Sequence, residues 1–282
     1  MGKHGNIDKF VKSSKRPAAL FPGGLKPVEK KQVKSIAKRL DDKGKQLHEK
    51  IFCSPSDAGT GPQYANFLFP GIPSAASSLI DLFPQISQAG GGSDSREQRS
   101  GSRIRLTGVR CKFWFHIPTD QPYTQDNATM CCRLLVLSSK TIRKFSLLES
   151  NWDAGELLNR KYLRDGAEDT SFLGDMKSLH FPVNTALFTT HYDKKFTLNR
   201  GQLMGTVANG YVRQVDPSKM MNINLKVKST KVRYPDDSAV ECDNFAPLAI
   251  LLYAPINGGH TLGTGGVVQG NCLIHTTWKN LD

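Results

Sequence analysis

The chain has 282 residues, with 38 lysines and arginines against 25 acidic residues and a formal net charge of +13. That length buries one large core or two modest ones, and no apolar run approaches the length of a membrane span. The excess charge is uneven: residues 1–50 hold 14 basic against 5 acidic side chains, while 51–282 hold 24 against 20. A concentrated positive segment ahead of a nearly balanced body is the pattern of a tail that binds a polyanion, joined to a folded domain.

Six cysteines, Cys53, Cys111, Cys131, Cys132, Cys242 and Cys272, show no C-x-x-C spacing. Reduced, mostly buried thiols are therefore expected, rather than a zinc site or a secreted disulfide framework. The opening MGKHGNIDKF lacks the apolar core of a secretory signal.

Residues 1–26 are basic and broken by Pro17, Pro22, Gly23 and Gly24, and cannot bury enough to order themselves. Lys3, Lys9, Lys12, Lys15 and Arg16 lie here, and KSSKRP fits a short nuclear import signal. Pro27 then opens an amphipathic helix expected over about 27–50. Val33, Ile36, Leu40, Leu47 and Ile51 fall at helical spacing as a narrow apolar stripe, while Lys30, Lys31, Lys34, Lys38 and Arg39 form the cationic side. The domain division is thus 1–50, a basic arm, and 51–282, a folded body.

Residues 52–100 read as loop, ending in the glycine- and serine-rich AGGGSDSREQRSGS. From Arg103 the texture turns to strands. RIRLTGVRCKFWFHI is apolar at Ile104 and Leu106, then at Val109, Cys111, Phe113, Phe115 and Ile117. Alternation has a period of two, so the phase change at Thr107-Gly108 predicts a bulge that keeps one face buried. The opposite face carries Arg103, Arg105, Arg110, Lys112, Trp114 and His116.

MCCRLLVLSS, 130–139, is apolar on both faces, as in a strand packed on two sides. FSLLESNWDAGELLNRKYL, 145–163, is the one helix expected in the body. HFPVNTALFTTHYDKKFTL, 180–198, reads as a strand that turns near Asp193-Lys194. GYVRQV, MNINLKVKSTKVRY (221–234), APLAILLYAP and NCLIHTTWKN complete the set. Many strands with long inserted loops and no repeat predict an all-β sandwich.

Convergent reactive groups are missing from the pattern. The histidines show no metal-ligand spacing, GGHTLGTGG lacks the ending of a phosphate loop, and no G-x-S-x-G is present. No catalytic residue, metal or cofactor is assigned, and an enzyme is not expected. Asp236, Asp237, Glu241 and Asp243 form an acidic cluster, read as a solvated loop in preference to a calcium site.

Several segments resemble a known family. Ile86 to Gln88, the glycines Gly90 to Gly92, and Arg99 to Gly101 followed by the alternating strand look like the entry to the first long strand in its members. MCCRLLVLSSK, HYDKKFTLN and LKVKSTKVRYPDD are similar to later strands, in the right order over about residues 80–282. The family is that of capsid proteins of circular Rep-encoding single-stranded DNA (CRESS-DNA) viruses, circovirus- and geminivirus-like.

The resemblance implies a single jelly-roll sandwich of about eight antiparallel strands, preceded by the arm. Copies would assemble into a small icosahedral shell around circular single-stranded DNA, in virions and in the host nucleus or cytoplasm, with a nuclear import receptor as a further partner and no membrane. Nucleic acid would meet the arm's cations, and also Arg103, Arg105, Arg110, Lys112 and Trp114 if that strand face lines the shell interior. The same face packs against an adjoining subunit in the alternative reading. Many relatives have an arginine-dense arm, whereas only Arg16 and Arg39 stand in this one. Lysine binds phosphate as a point charge rather than a bidentate fork. The competing expectations are a coat protein of a small RNA virus and a non-viral nucleic-acid-binding sandwich.

Overall fold

The computed structural model describes residues 31–36, 47–54, 67–73, 78–89, 97–117, 129–153, 161–199, 218–227, 230–256 and 267–281. The chain divides into two compact units, Met1–Gln46 and Leu47–Asp282. In the first, residues 31–36 are helical, with Lys31, Lys34 and Ile36 exposed.

Among the described residues, the second unit holds twelve strands: β1 (His48–Ser54), β2 (Phe67–Phe69), β3 (Ile80–Asp81), β4 (Arg103–His116), β5 (Thr129–Ser139), β6 (Leu163–Asp165), β7 (Glu168–Thr170), β8 (Phe188–Asn199), β9 (Ser218–Leu225), β10 (Lys231–Arg233), β11 (Pro247–Pro255) and β12 (Val268–Asn280). Two helices, α1 (Phe145–Asp153) and α2 (Met176–Leu179), lie between β5 and β8.

Setting aside short β2 and β10 and the β6–β7 hairpin, eight strands remain. Sheet A runs β1-β12-β4-β9 and sheet B runs β3-β11-β5-β8, with antiparallel pairing throughout. In order along the chain these are strands one, eight, three, six and two, seven, four, five. That interleaving is a jelly roll, in which the chain doubles back as nested antiparallel pairs. Its ends are paired directly: His48 lies opposite Trp278.

The alternation seen in the sequence sets the layers. Ile104, Leu106, Val109, Cys111, Phe113 and Phe115 of β4 point into the inter-sheet core with Cys132, Leu134 and Val136 of β5. The other face of β5 is also buried: Leu135 and Leu137 join Leu248, Ile250 and Leu252 of β11 under Leu148, Trp152, Tyr162 and Phe172 of the insertion. Sheet B is therefore covered on both sides, which is why β5 and β11 read as continuous apolar runs. The bulge falls where the phase change puts it. Thr277 faces Gly108 and Trp278 faces Leu106, leaving Thr107 as the extra residue.

Other expectations are corrected. The helix expected to about residue 50 gives way to β1 at His48; its 37–46 portion lies outside the described residues, as does GYVRQV. Of the helix expected over 145–163, α1 holds Phe145–Asp153, residues 154–160 lie outside the described residues, and Leu163 begins β6. β8 passes straight through Asp193-Lys194 without a turn, because a bulge rather than a reversal changes its phase. The stretch 221–234 is broken between β9 and β10, where Val227 donates its N–H to the Leu225 carbonyl and Thr230 to that of Val227. Cys111, Cys132, Cys242 and Cys272 are buried, Cys131 is half-buried, and none of them forms a disulfide.

Candidate nucleic-acid interface

The outer face of sheet A is built by β4. With Ile104 to Phe115 committed to the core, the intervening side chains have only the outside left. Arg103, Arg110 and Lys112 are exposed there, with Arg105 and Trp114 half-buried. Register then adds cations that no single strand reveals. Lys231 of β10 and Lys279 of β12 both pair with Arg105, and Arg233 pairs with Arg103. His275 lies opposite Arg110 on one side, and Asn224 on the other.

One end of the sheet is thus a cationic patch, and the other is aromatic and amide-rich. Trp114 stacks on His116 at 4.3 Å between ring centroids, inclined 27°. Met220, 74% exposed, pairs with Trp114 from β9, and Asn271 from β12. β12 approaches β4 closely at this point: a Cβ on Gly270 would stand 2.2 Å from the Trp114 carbonyl oxygen. Two acids temper the charge: Glu49 meets His275 at 3.2 Å and Asp243 meets Arg233 at 3.1 Å. Among the described residues, no core cluster forms over this face, in contrast to the covered face of sheet B.

Such a surface suits a flexible polyanion. Phosphates would find point charges and guanidinium forks in rows, while an indole would offer a plate for an unpaired base. Of the sequence-assigned residues, Lys31 and Lys34 lie exposed on the 31–36 helix. Lys3, Lys9, Lys12, Lys15, Arg16, Lys30, Lys38 and Arg39 lie outside the described residues. Lys231, Arg233 and Lys279 were not among the candidates read from the sequence, since only strand register brings them beside β4.

Below this face sits a clamp. Arg99 is fully buried, and its guanidinium lies 4.1 Å above the Tyr234 ring. It donates to the carbonyls of Ile86, Gly101, Asp236, Asp237 and Ala239. The arginine thereby ties the entry of β4 to the acidic loop. Carboxylates of that loop serve separate partners: Asp236 accepts from Ser238 Oγ and the Ala239 N–H, Glu241 from Ser146, and Asp243 holds Arg233. Hydrogen bonding to Ser238 and Ala239 keeps the Asp236 carboxyl below its usual range. No group of three or more His, Cys, Asp or Glu among the described residues is placed to share a cation.

No protein-family model matches the chain, and no curated protein does. Among solved structures, the chain is similar to one from the mud crab tombus-like virus, determined by cryo-EM, at 11% identity and a TM-score of 0.35. That alignment covers 84% of this chain and 81% of the other.

Proposed function

We propose that the chain is a viral coat protein whose copies close into a shell around a single-stranded nucleic acid, circular DNA being the cargo. The observation that carries this reading is the jelly roll with one sheet face covered and the other cationic and, among the described residues, bare. In the sequence, that domain follows a segment of 14 basic and 5 acidic residues. Jelly rolls also serve as lectins and cupins. Against a ligand held between the sheets, the buried side chains of Phe69, Phe113, Phe115 and Trp278 pack together there. A sugar-binding role would also leave the basic segment unemployed. The work assigned is binding and self-association, with no catalytic step.

DNA as cargo rests on the resemblance of residues 80–282 to CRESS-DNA virus capsid proteins, and nuclear assembly rests on KSSKRP. The test is negative-stain microscopy of the purified full chain, with nuclease digestion of nucleic acid extracted from the particles. Closed shells with DNase-sensitive cargo are expected. RNA inside the shells would move the protein to the RNA-virus reading. A single species near 31.1 kDa in the ultracentrifuge, across salt and pH, would overturn the coat-protein reading.

A further inference from the structure

β8 changes phase at His191. Tyr192, Phe196 and Leu198 pack toward the inter-sheet core, whereas Phe188 belongs to the core under the insertion. The switch is a bulge: Val136 faces Tyr192 but Leu137 faces Thr190, so His191 is the extra residue. Bulges re-aim side chains. This one turns His191 toward Ser138, whose Oγ lies 2.8 Å from His191 Nε2.

A cavity of about 190 Å³ opens beside that pair, lined by Ser138, Ser139, Lys140, Arg143, Thr189 and His191 and bounded by the 244–246 turn. Among the described residues, no carboxylate lines it. The acids just ahead of its 244–246 wall in the sequence are engaged, Asp243 by Arg233 and Glu241 by Ser146. Arg143 is exposed and pairs with no acid among the described residues. Lys140 Nζ donates one hydrogen to the Thr185 carbonyl at 2.6 Å and keeps two more. Hydroxyls, an imidazole and two permanent cations without an acid match the needs of a tetrahedral oxyanion.

We propose that this cavity is a phosphate-binding site, with Arg143 and His191 as its anchors and Ser138 as a hydroxyl donor. A nucleic-acid backbone phosphate and free orthophosphate share the chemistry. The site stands apart from the coat-protein reading, since it needs neither a shell nor a genome. Burial holds the His191 imidazole below its ordinary range. Lys140 and Arg143, on the segment after β5, line the same cavity and carry the sign of charge that a protonated imidazole would carry. A bound phosphate reverses that balance, so binding takes up a proton and tightens as pH falls through the imidazole range.

The experiment is equilibrium dialysis of the full chain against radiolabelled orthophosphate, at about pH 5.5 and about pH 7.5. Saturable binding is expected, tighter at the lower pH. Arg143→Gln should weaken it by roughly tenfold or more, while Lys177→Gln on α2, outside the cavity and outside the sheet A face, leaves it unchanged. His191→Asn should shrink the pH dependence to that of phosphate's own titration. Displacement of the label by oligodeoxythymidylate assigns the site to backbone phosphate, and failure to displace assigns it to free phosphate. An absence of saturable binding by the parent, or parent-like binding by Arg143→Gln, overturns the proposal.

Discussion

A guanidinium buried without a carboxylate partner is costly, and Arg99 offsets that cost with five backbone carbonyls and a tyrosine ring. Truncating it would strand those carbonyls where water cannot reach them. Arg99→Ala should therefore lose at least about 3 kcal/mol of stability, measured by urea unfolding, with the loss falling on the acidic loop and the entry of β4. Asp81 carries the opposite problem. Its carboxyl accepts the Phe83 N–H at 2.9 Å and lines a small cavity shared with Glu149 and Glu241. Burial, reinforced by the charges of Glu149 and Glu241, pushes it up to about 8 from 3.8. The folded state thus holds this proton longer than the unfolded chain does. Its contribution is fully present below the unfolded value, and drains away as pH rises from there to about 8. Asp81→Asn should flatten that slope and melt above the parent at alkaline pH, by an amount on the order of a few kcal/mol. A parent-like slope in melts from acid to alkaline pH would exonerate this carboxyl.

At the scale of elements, close approach and register decide what a strand can tolerate. Gly270→Ala would drive a methyl into the Trp114 carbonyl and to 2.8 Å from Phe115 Cδ1. Gly108→Ala meets only Thr277 Oγ1, at 3.3 Å. The first should cost roughly 1–3 kcal/mol or more and the second distinctly less, a ranking that thermal melting of the pair reads directly. The same distinction explains what could be read in advance. β4, β5, β11 and β12 were legible because each commits at least one whole face to a core, and burial imposes its period on the letters. β1 was not, since Leu47 and Ile51 also fit the helical stripe of the preceding segment, and both are exposed. β3, only Ile80–Asp81, is too short to show any period. The even-to-odd slip in β4 was recognised as a bulge because a glycine marked it. The equivalent slip at His191 carries no such mark and read as a turn. The cations of β10 and β12 are visible as letters, but their place beside Arg105 is a fact of pairing that no single-strand pattern contains.

For the whole molecule, the cationic face makes a claim about salt. If Arg110 and Lys112 each neutralise a phosphate, affinity for single-stranded nucleic acid falls log-linearly with salt. Replacing both with Gln should flatten that slope by about 1.4 units, from roughly 0.7 per contact on a single strand. The change should be the same for unrelated sequences, because phosphate contacts carry no base information. Trp114→Ala should instead lower affinity with little change in slope, since stacking releases no counterions. Filter binding across a salt series separates the two. A slope unchanged by the double replacement would leave polyanion binding to the basic segment, where Lys31 and Lys34 are exposed.

The direct pairing of β1 with β12 also sets an order in time. β12 is the middle plank of sheet A, held between β1 on one side and β4 on the other. A ribosome delivers it after every other described strand, so nothing can bridge β1 to β4 until residues 268–280 are made, although β9 and β10 reach β4 earlier. Closing so distant a pair makes for slow folding. Sheet B is less constrained, because β5 and β8 meet as soon as the insertion between them is made. The nascent chain should therefore order the β5–β8 half first and gain its cationic face last. Stalled chains ending before residue 268 should resist protease in the insertion while β4 is still cut. Equal protection of both halves in those stalled chains would refute that order.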